Sequence, residues 1–547
     1  MISNIRYWFL LLLVLLVYVA GIFVPLFEND SARFAVIAMQ MVQENDYLAL
    51  LAGAETNFDE PHMHFWLAAF SYKIFGIYYW AYRIPAILAT LLAAYSCFGL
   101  GGLLYNTKVG KLAALVFLTT QIIVMSNTDV RIDTILTGFS IFALWQLIIY
   151  LEKGSLSGIV LGAIGAGIVF SLAGLTGLLF VVLPFSCHLL YTRNWKRLYG
   201  WKIGLAILLF CLSIIPACYA FFLRHQHIMP DSGNQSGMLS FLAEISTTPL
   251  GGYGFSFESF DLSFVKNYLW LFLPWSIIGL FAYANRFKSL IKLKFGFNPK
   301  YEFLSLGGVT LLFLVLVFVD DKSFYHLNPL MALSSIMVAS YLYNLNRFRN
   351  EKMIKAVLGI QYFIFGIVFL ISVLFCYYIF KTDNPLNYIW KTALAILAIF
   401  YCLKRESYFY RLITVSAVCS LMLNAVLNTH SFPEFMKYQG GHTMANIITK
   451  KEIPTENIYK LSDQGTWVLD FYNKNRLKQI SISKILNKKD IWVYANELQL
   501  RELNNLGYDW DRQYQVDQFY LTQLNFKFLN PATRNGILDK MYLIHIY

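Results

Sequence analysis

Carboxylates that stand where hydrophobic segments end are the residues of this chain best suited to acid–base chemistry. Asp30 directly follows the first hydrophobic segment and precedes a further apolar stretch. Asp129 and Asp133 flank Arg131 in the gap before a later hydrophobic segment. A carboxylate placed in this way is suited to act as a general base. For Asp30 a purely local alternative stays open, because an aspartate at this point can also be the N-cap of the stretch that follows it.

The elements that position these residues follow from a very apolar composition. Of the 547 residues, 57% are hydrophobic and 14% are charged, whereas roughly 25% of residues are charged in ordinary globular proteins. The mean hydropathy is +0.52, an excess of apolar surface that a bilayer accommodates and a soluble core does not. The first segment, residues 7–27, has only Arg6 before it and no small-x-small cleavage site behind it. We therefore predict a retained transmembrane helix there.

Hydrophobic runs long enough to cross a bilayer recur along the chain and predict about thirteen transmembrane helices. If the N-terminus is cytoplasmic, the inside gaps and the N-terminus hold 20 of the 44 basic residues, the asymmetry of the positive-inside rule. The net charge of +12 is thus largely topological, and no nucleic-acid partner is expected. All seven cysteines lie in hydrophobic segments, so no disulfide framework is expected. The predicted runs are residues 7–27, 83–105, 109–126, 133–151, 156–173, 175–191, 203–223, 265–285, 303–319, 324–345, 356–380, 388–403 and 412–428.

The remainder of the chain is polar and predicts a small soluble domain. From about His430 onward, β-like runs at 479–485, 490–494 and 541–547 alternate with helix-like stretches, a pattern typical of an α/β fold. With thirteen spans this domain lies outside the membrane. The predicted fold class is an α-helical polytopic membrane protein with a small α/β extracytoplasmic domain. Its predicted domains are residues 1–428, with the first outside loop at 28–82, and residues 429–547.

The acidic residues crowd into the segments predicted to lie outside. The first outside loop is long and partly apolar, and residues 32–42 and 64–75 predict amphipathic helices along the membrane interface. A cavity at the outer leaflet, roofed by these elements and lined by carboxylates, would suit chemistry on a lipid-carried substrate. The alternative is that the acids merely keep the outside loops solvated. The acids of the first loop are Glu28, Asp30, Glu44, Asp46, Glu55, Asp59 and Glu60.

Motifs around these residues resemble those of the lipid-linked-sugar glycosyltransferases of the multi-span GT-C fold. The resemblance is to bacterial aminoarabinose transferases and the protein O-mannosyltransferase-like group, and it covers roughly residues 5–345. The matching segments, in chain order, are Asp30-Ser31-Ala32-Arg33-Phe34-Ala35, Phe58-Asp59-Glu60-Pro61, Tyr82-Arg83-Ile84-Pro85, Val130-Arg131-Ile132-Asp133, Leu273-Pro274-Trp275-Ser276, and Lys322 with Tyr325 and Pro329.

This resemblance implies an inverting glycosyltransferase of a bacterial-type cytoplasmic membrane. It would move a sugar from a polyprenyl-phosphate donor to a lipid or protein acceptor at the outer face, in the manner of lipid A modification. Asp30 would orient or deprotonate the acceptor hydroxyl, with Asp133 as a second catalytic candidate. The substrate- and phosphate-binding candidates are Arg33, Asp59, Glu60, Arg83, Arg131, Arg224, Lys322 and Tyr325.

Three departures from the family pattern affect the expected phosphate site. Ser31 replaces a glutamate, while Glu60 and Ala173 stand where the family has lysines. Either Arg131, Arg224 or Lys322 supplies the missing positive charge, or a divalent metal does. The candidate metal ligands are Asp30, Asp59, Glu60 and His62.

Two other functions stay open at this point. A family member that lost both lysines could bind a polyprenyl lipid without catalysis. A lipid or solute transporter is the other alternative, although the later predicted spans contain few charges and the acids crowd one side of the membrane instead of its midplane.

Overall fold

The structure of the protein is a computed structural model. It describes residues 4–28, 30–48, 62–228, 261–292, 294, 302–319, 323–381, 392, 395–396, 398–400, 403–404, 406–462, 465–485, 488 and 490–547. The described chain is a bundle of apolar helices followed by a five-stranded sheet with its own helices.

Within the described residues, seven helices are long and apolar enough to cross a bilayer, and counting two bent pairs raises the number to nine. They carry Leu, Ile, Val and Phe on most faces, as expected of helices surrounded by lipid and by one another. The seven are α1 (Asn4–Ile22), α4 (Tyr79–Leu104), α7 (Ile132–Lys153), α8 (Leu156–Thr192), α9 (Trp201–Ile228), α14 (Glu351–Leu374) and α15 (Tyr408–Val426). The bent pairs are α5 (Thr107–Leu118) with α6 (Gln121–Thr128), and α10 (Ser263–Leu271) with α11 (Ser276–Lys292).

Helix α8 is too long for a single crossing and contains a break. As a straight helix its 37 residues would span about 55 Å, nearly twice the ~30 Å hydrocarbon core. Ala173 and Gly174 have non-helical backbone angles, and Gly174 lies in the left-handed region at φ +59°, which a glycine adopts without strain. The break therefore allows a sharp change of chain direction.

Contacts between α7 and α8 show that the chain reverses at this break. The first half of α8 begins immediately after the C-terminal end of α7. Just beyond the break, Gly177 lies against Leu136 near the start of α7. Further on, Nε2 of His188 is 3.0 Å from Oε1 of Glu152, back at the C-terminal end of α7. The two halves of α8 are thus antiparallel, which agrees with the separate runs predicted at 156–173 and 175–191.

Three of the predicted spans do not correspond to a single long helix among the described residues. The run predicted at 265–285 is wrong as a single span, because α10 and α11 meet at an angle of 116°. Helix α12 (Leu304–Leu316) has 13 residues and a length of about 20 Å, which is short for a crossing. The run predicted at 388–403 lies mostly outside the described residues. The remaining helix of the bundle, α13 (Asn328–Arg347), is buried against its neighbours along most of its length.

The two stretches after α1 that were predicted to be amphipathic helices are helices in the structure. They are α2 (Asp30–Glu44) and α3 (His62–Phe75). Helix α2 does not lie open at the interface, because nine of its residues are buried between α3 and a helix of the soluble domain. Asp30 occupies its first turn, where a carboxylate is favourable to the helix dipole.

The C-terminal part of the chain is an α/β domain, as predicted. Its sheet has the order β2-β1-β3-β5-β4, in which β1 runs parallel to β2 and β3, whereas β5 is antiparallel to β3 and β4. The strands are β1 (Ile458–Lys460), β2 (Lys478–Gln479), β3 (Ile491–Asn496), β4 (Arg512–Gln518) and β5 (Asp539–Ile546). The principal helices are α16 (Gly440–Lys450), α17 (Trp467–Tyr472) and α18 (Glu497–Asn505).

The strands predicted at 490–494 and 541–547 correspond to β3 and β5. The strand predicted at 479–485 is wrong, since β2 ends at Gln479 and Ile482–Ile485 is a short helix. Strand β4 was missed because it is an edge strand of mostly polar residues, of which only Val516 and Gln518 are buried.

Candidate functional site

Asp30, at the start of α2, lies between two arginines. Its Oδ2 accepts a hydrogen bond from Nη1 of Arg131 at 2.9 Å, and its Oδ1 is 3.4 Å from Nη2 of Arg33 one turn along the helix. The Asp30 side chain is 46% exposed, whereas that of Arg131 is 16% exposed. The predicted base is therefore fixed in orientation by two guanidinium groups and still open to an incoming molecule.

Arg131 is presented by a strained turn between α6 and α7. Val130 has φ +41°, a conformation that a β-branched residue rarely adopts and that costs about 1–3 kcal/mol. The Arg131 guanidinium lies 5.0 Å from the ring centre of Tyr325, and the Tyr325 hydroxyl donates to Oδ2 of Asp129 at 3.1 Å. Asp129 and Arg131 of this turn thus form one cluster with Tyr325 and with Asp30.

Asp133, the second catalytic candidate, is buried. Its Oδ1 is 2.8 Å from Nδ1 of His326, and the two side chains are only 5% and 2% exposed. A buried, paired carboxylate has little access to an acceptor hydroxyl, so the surroundings of Asp133 favour a positioning role over the predicted catalytic one. His326 was not among the predicted residues, although a histidine at the head of an apolar helix, next to Tyr325, was a visible signal.

Arg83 is a correction to the predicted phosphate-binding set. It is fully buried, and its guanidinium donates to the backbone carbonyls of Thr128 at 2.9 Å, Pro25 at 3.2 Å and Ile22 at 3.3 Å, as well as to Tyr79 on its own helix. These bonds satisfy a charge that would otherwise be costly to bury. Arg83 therefore joins α4 to the end of α1 and the end of α6 and has no exposed face for a phosphate.

Only two of the four predicted metal ligands, Asp30 and His62, belong to the described residues, so the metal site stays a prediction. The Asp30 carboxylate is engaged by two arginines, and Nε2 of His62 is 2.9 Å from the carbonyl of Leu48, to which it must donate. His62 could then ligate a metal only through its other ring nitrogen, Nδ1. Asp59 and Glu60 lie outside the described residues. Among the residues that are described, no group of three or more His, Cys, Asp or Glu is placed to hold a metal ion.

Two of the predicted phosphate partners, Lys322 and Arg224, cannot be placed in the site, whereas His64 is well described. Lys322 lies outside the described residues, and Arg224 belongs to the last turns of α9 with its side chain outside the described part. His64 is buried and its Nε2 is 3.1 Å from the Tyr82 hydroxyl. Burial lowers the pKa of His64 to about 3, so its imidazole is neutral at physiological pH.

An apolar cavity adjoins the cluster. It has a volume of about 270 Å³, and Asp129 and Tyr325 form part of its wall. The rest of the wall is almost entirely apolar and comes from both the membrane helices and the soluble domain, including Phe27, Phe375, Phe380, Phe432, Leu521 and Leu529. An apolar cavity with the Asp129 carboxylate and the Tyr325 phenol in its wall suits an amphipathic ligand that has a hydrocarbon chain and a polar head group.

Comparison with known proteins identifies relatives of this chain. A family model described as dolichyl-phosphate-mannose-protein mannosyltransferase matches residues 59–219. The undecaprenyl phosphate-alpha-4-amino-4-deoxy-L-arabinose arabinosyl transferase 1 of Proteus mirabilis is 24% identical over 486 residues, covering 84% of this chain and 82% of that protein. A transferase of the same name from Pseudomonas aeruginosa is 28% identical over 233 residues, which is 40% of this chain and 41% of that protein.

The fold is shared with a solved structure along almost its whole length. ArnT from Cupriavidus metallidurans, in the crystal structure bound to undecaprenyl phosphate, matches with a TM-score of 0.73 and 15% sequence identity over 99% of this chain and 98% of that one. The apo structure of the same protein gives a TM-score of 0.71. The chain accordingly has the GT-C fold of a multi-pass membrane glycosyltransferase, and it is similar in sequence to aminoarabinose transferases.

Proposed function

We propose that this protein transfers a sugar from a polyprenyl-phosphate donor to a lipid acceptor at the outer face of the bacterial cytoplasmic membrane. The observation that carries the proposal is the half-exposed Asp30 carboxylate, held between Arg33 and Arg131 in a cluster that adjoins an apolar cavity. A lipid acceptor is preferred over a protein acceptor because the cavity wall is suited to a hydrocarbon chain. The relatives' names, which specify undecaprenyl phosphate and aminoarabinose, support this substrate class.

In the proposed reaction Asp30 removes the proton from the acceptor hydroxyl. The acceptor oxygen then forms a bond to the anomeric carbon as the bond from that carbon to the phosphate oxygen breaks, and polyprenyl phosphate leaves with the electron pair. Protonation of Asp30 removes the negative partner of Arg131. The guanidinium charge, previously neutralised by the carboxylate, becomes available to the leaving phosphate in the same step.

This coupling offers an answer to the missing family lysines. Arg131 and Arg33 both reach the Asp30 carboxylate, so two cations stand beside the atom that accepts the proton. Lys322 and Arg224 stay as predicted additional phosphate partners. The metal site, with Asp30, Asp59, Glu60 and His62 as its candidate ligands, stays a prediction.

The proposal includes an orientation. With the N-terminus in the cytoplasm, the basic gaps lie inside and both α2 and the soluble domain lie outside. The Asp30 cluster then faces the compartment in which a flipped polyprenyl-phosphate sugar is exposed. Labelling of single cysteines introduced at Glu44 and at Lys355, with an impermeant reagent on intact cells, tests it. Reaction at 44 and protection at 355 is expected, and the reverse pattern contradicts it.

Reconstituted protein supplied with a panel of polyprenyl-phosphate sugars and a lipid acceptor tests the activity itself. Wild-type turnover that falls by about 10²- to 10⁴-fold in Asp30→Ala, with unchanged folding, is the expected result for loss of a general base. The matched control is Glu44→Gln, which removes an exposed carboxylate from the other end of the same helix and should leave turnover unchanged. Donor binding without turnover would favour the non-catalytic alternative, and facilitated movement of the donor across the bilayer would favour a transporter.

A further inference from the structure

The chain leaving α1 is attached to the soluble domain two residues before Asp30. Glu28 is only 4% exposed, and its carboxylate accepts two backbone hydrogen bonds from the start of α17. Oε1 accepts from the Trp467 N–H at 2.8 Å, and Oε2 accepts from the Val468 N–H at 2.9 Å. Both carboxylate oxygens of a membrane-domain residue are thus committed to the soluble domain.

The same short segment makes further bonds to that domain. The Glu28 N–H donates to Oε1 of Gln439 at 3.1 Å, and the Leu26 N–H donates to the Tyr472 hydroxyl at 3.4 Å. Residues 26–28 are therefore held through backbone and side chain alike, at both ends of α17. A segment with this many long-range bonds has little freedom to shift without moving α17.

Helix α2 is packed against the same soluble-domain helix. Near its C-terminal end, Nε2 of Gln43 donates to the Lys474 carbonyl at 2.7 Å. Beside it, the ring of Tyr72 on α3 lies 6.4 Å from the ring of Phe471 on α17. Helix α17 thus lies against the helix that carries Asp30, while Glu28 fixes the chain that leads into it.

We infer that Glu28 is a positioning residue through which the soluble domain sets the place of Asp30 beside Arg131. The inference rests on the proposed function and extends it, because it assigns the soluble domain a part in building the catalytic site. A carboxylate is required at this position because two N–H donors face it. A glutamine can accept from only one of them and would direct its own amide hydrogens at the other.

Hydrogen exchange in wild type and Glu28→Gln, both in lipid nanodiscs, tests the inference without any substrate. Exchange should become about tenfold faster in residues 467–472, as the loss of one charge-assisted hydrogen bond predicts, and also faster in the first turns of α2. Gln43→Ala, which removes a contact to the same domain at the far end of α2, should leave the first turns of α2 unchanged. Faster exchange confined to 467–472, or no change at either place, would overturn the inference.

A double-mutant cycle measured by turnover distinguishes a positioning role of Glu28 from a general effect on stability. Glu28→Gln and Arg131→Lys should each lower kcat by about tenfold or more with the donor KM unchanged, because a small displacement of a catalytic group is costly. Since both act through Asp30, the double variant should be little worse than the poorer single variant. Losses that multiply would assign Glu28 a structural role only. Should Glu28→Gln not fold, Glu28→Asp, which keeps the charge and shortens the reach, takes its place in both measurements.

The two proposals fail in different ways. Absence of turnover in the wild type with every donor would remove the proposed function, and hydrogen exchange would then decide the Glu28 linkage alone. Wild-type turnover with multiplying losses and unaltered exchange in α2 would leave the function standing and remove the linkage.

Discussion

Arg83 and Arg131 carry the same charge and sit in similar short motifs, yet they have opposite surroundings. Arg83 is fully buried and donates to backbone carbonyls at the exit of α1, at the end of α6 and on its own helix, so its charge is used in joining helices. Arg131 is partly exposed, follows a strained residue, and is paired with a half-exposed carboxylate that can itself become protonated. A buried arginine bound to carbonyls is fixed for the life of the fold, whereas one bound to a titratable partner can change partners during a reaction.

The largest effect is expected from Arg131. Arg131→Met should lower turnover by about 10²- to 10³-fold, because it removes a cation that stabilises both Asp30 and the leaving phosphate. The thermal unfolding midpoint should change little, since Asp30 keeps Arg33 and is exposed to water. Turnover and thermal unfolding of the same detergent-solubilised preparation check this. A large loss of stability would show that Arg131, like Arg83, mainly holds the fold together, and would contradict the difference between the two arginines.

Arg83→Met should produce the opposite pattern. Several buried carbonyls would lose their donor, at a cost of about 3 kcal/mol or more in the free energy of unfolding. The folded fraction that remains should turn over at close to the wild-type rate per molecule, because Arg83 has no exposed face. Thermal unfolding and turnover normalised to folded protein measure both quantities. A folded Arg83→Met protein with normal stability and no activity would restore the phosphate-binding role.

The buried Asp133–His326 pair should give an intermediate result. Asp133→Asn is expected to lower kcat by about tenfold with little effect on donor KM, because the pair sits beside Tyr325 and acts by positioning and not by touching substrate. Steady-state kinetics with donor and acceptor varied separately would show this. A loss as large as that of Asp30→Ala would instead make Asp133 the base.

The smallest expected effect is on stability as a function of pH. Burial raises the pKa of Glu28 to about 7 and that of Asp470 to about 6, despite the amides that bind Glu28 and the Lys460 ammonium that pairs with Asp470. Their folded-state pKa values exceed the unfolded ones, so the folded state binds more protons in between. Stability should therefore fall as pH rises from about 4 to about 7 and level off above.

Thermal unfolding between pH 5 and pH 8 checks this sign. The midpoint is expected to be a few degrees higher at the acidic end. In Glu28→Gln the slope should be shallower, because one of the two raised carboxyl groups no longer titrates. A midpoint that rises with pH across this window would show that the two carboxylates are net stabilising in their ionised form.

Much of this architecture was predictable from the sequence because membrane crossing leaves a strong pattern. The hydrophobic runs predicted at 156–173 and 175–191 correspond to the two halves of α8, and the order of the motifs predicted the fold. The bend between α10 and α11 was not predictable, since both arms are apolar and hydropathy does not encode direction.

The sequence indicated which residues lie in the candidate site better than it indicated what each of them does. Arg83 and Arg131 both lie in motifs that match the family pattern, and only the packing of α1, α4 and α6 decides which one is enclosed. The Asp133–His326 bond joins residues 193 positions apart, beyond the reach of any local pattern. Glu28 was read as one of several loop acids, because its partners Trp467 and Val468 offer backbone N–H groups, which every sequence contains.

The apolar cavity also has a consequence for how the protein is made. Its wall takes Phe27 from the exit of the first helix and Leu521, Leu524 and Leu529 from the far end of the soluble domain. During synthesis the membrane helices insert long before those leucines leave the ribosome. The chamber is consequently enclosed only when the C-terminal domain has been made and has folded against the helices. Under the proposed function, a chain whose helices alone have inserted cannot yet retain a lipid there. Binding competence thus begins with the completion of the chain and not with its insertion.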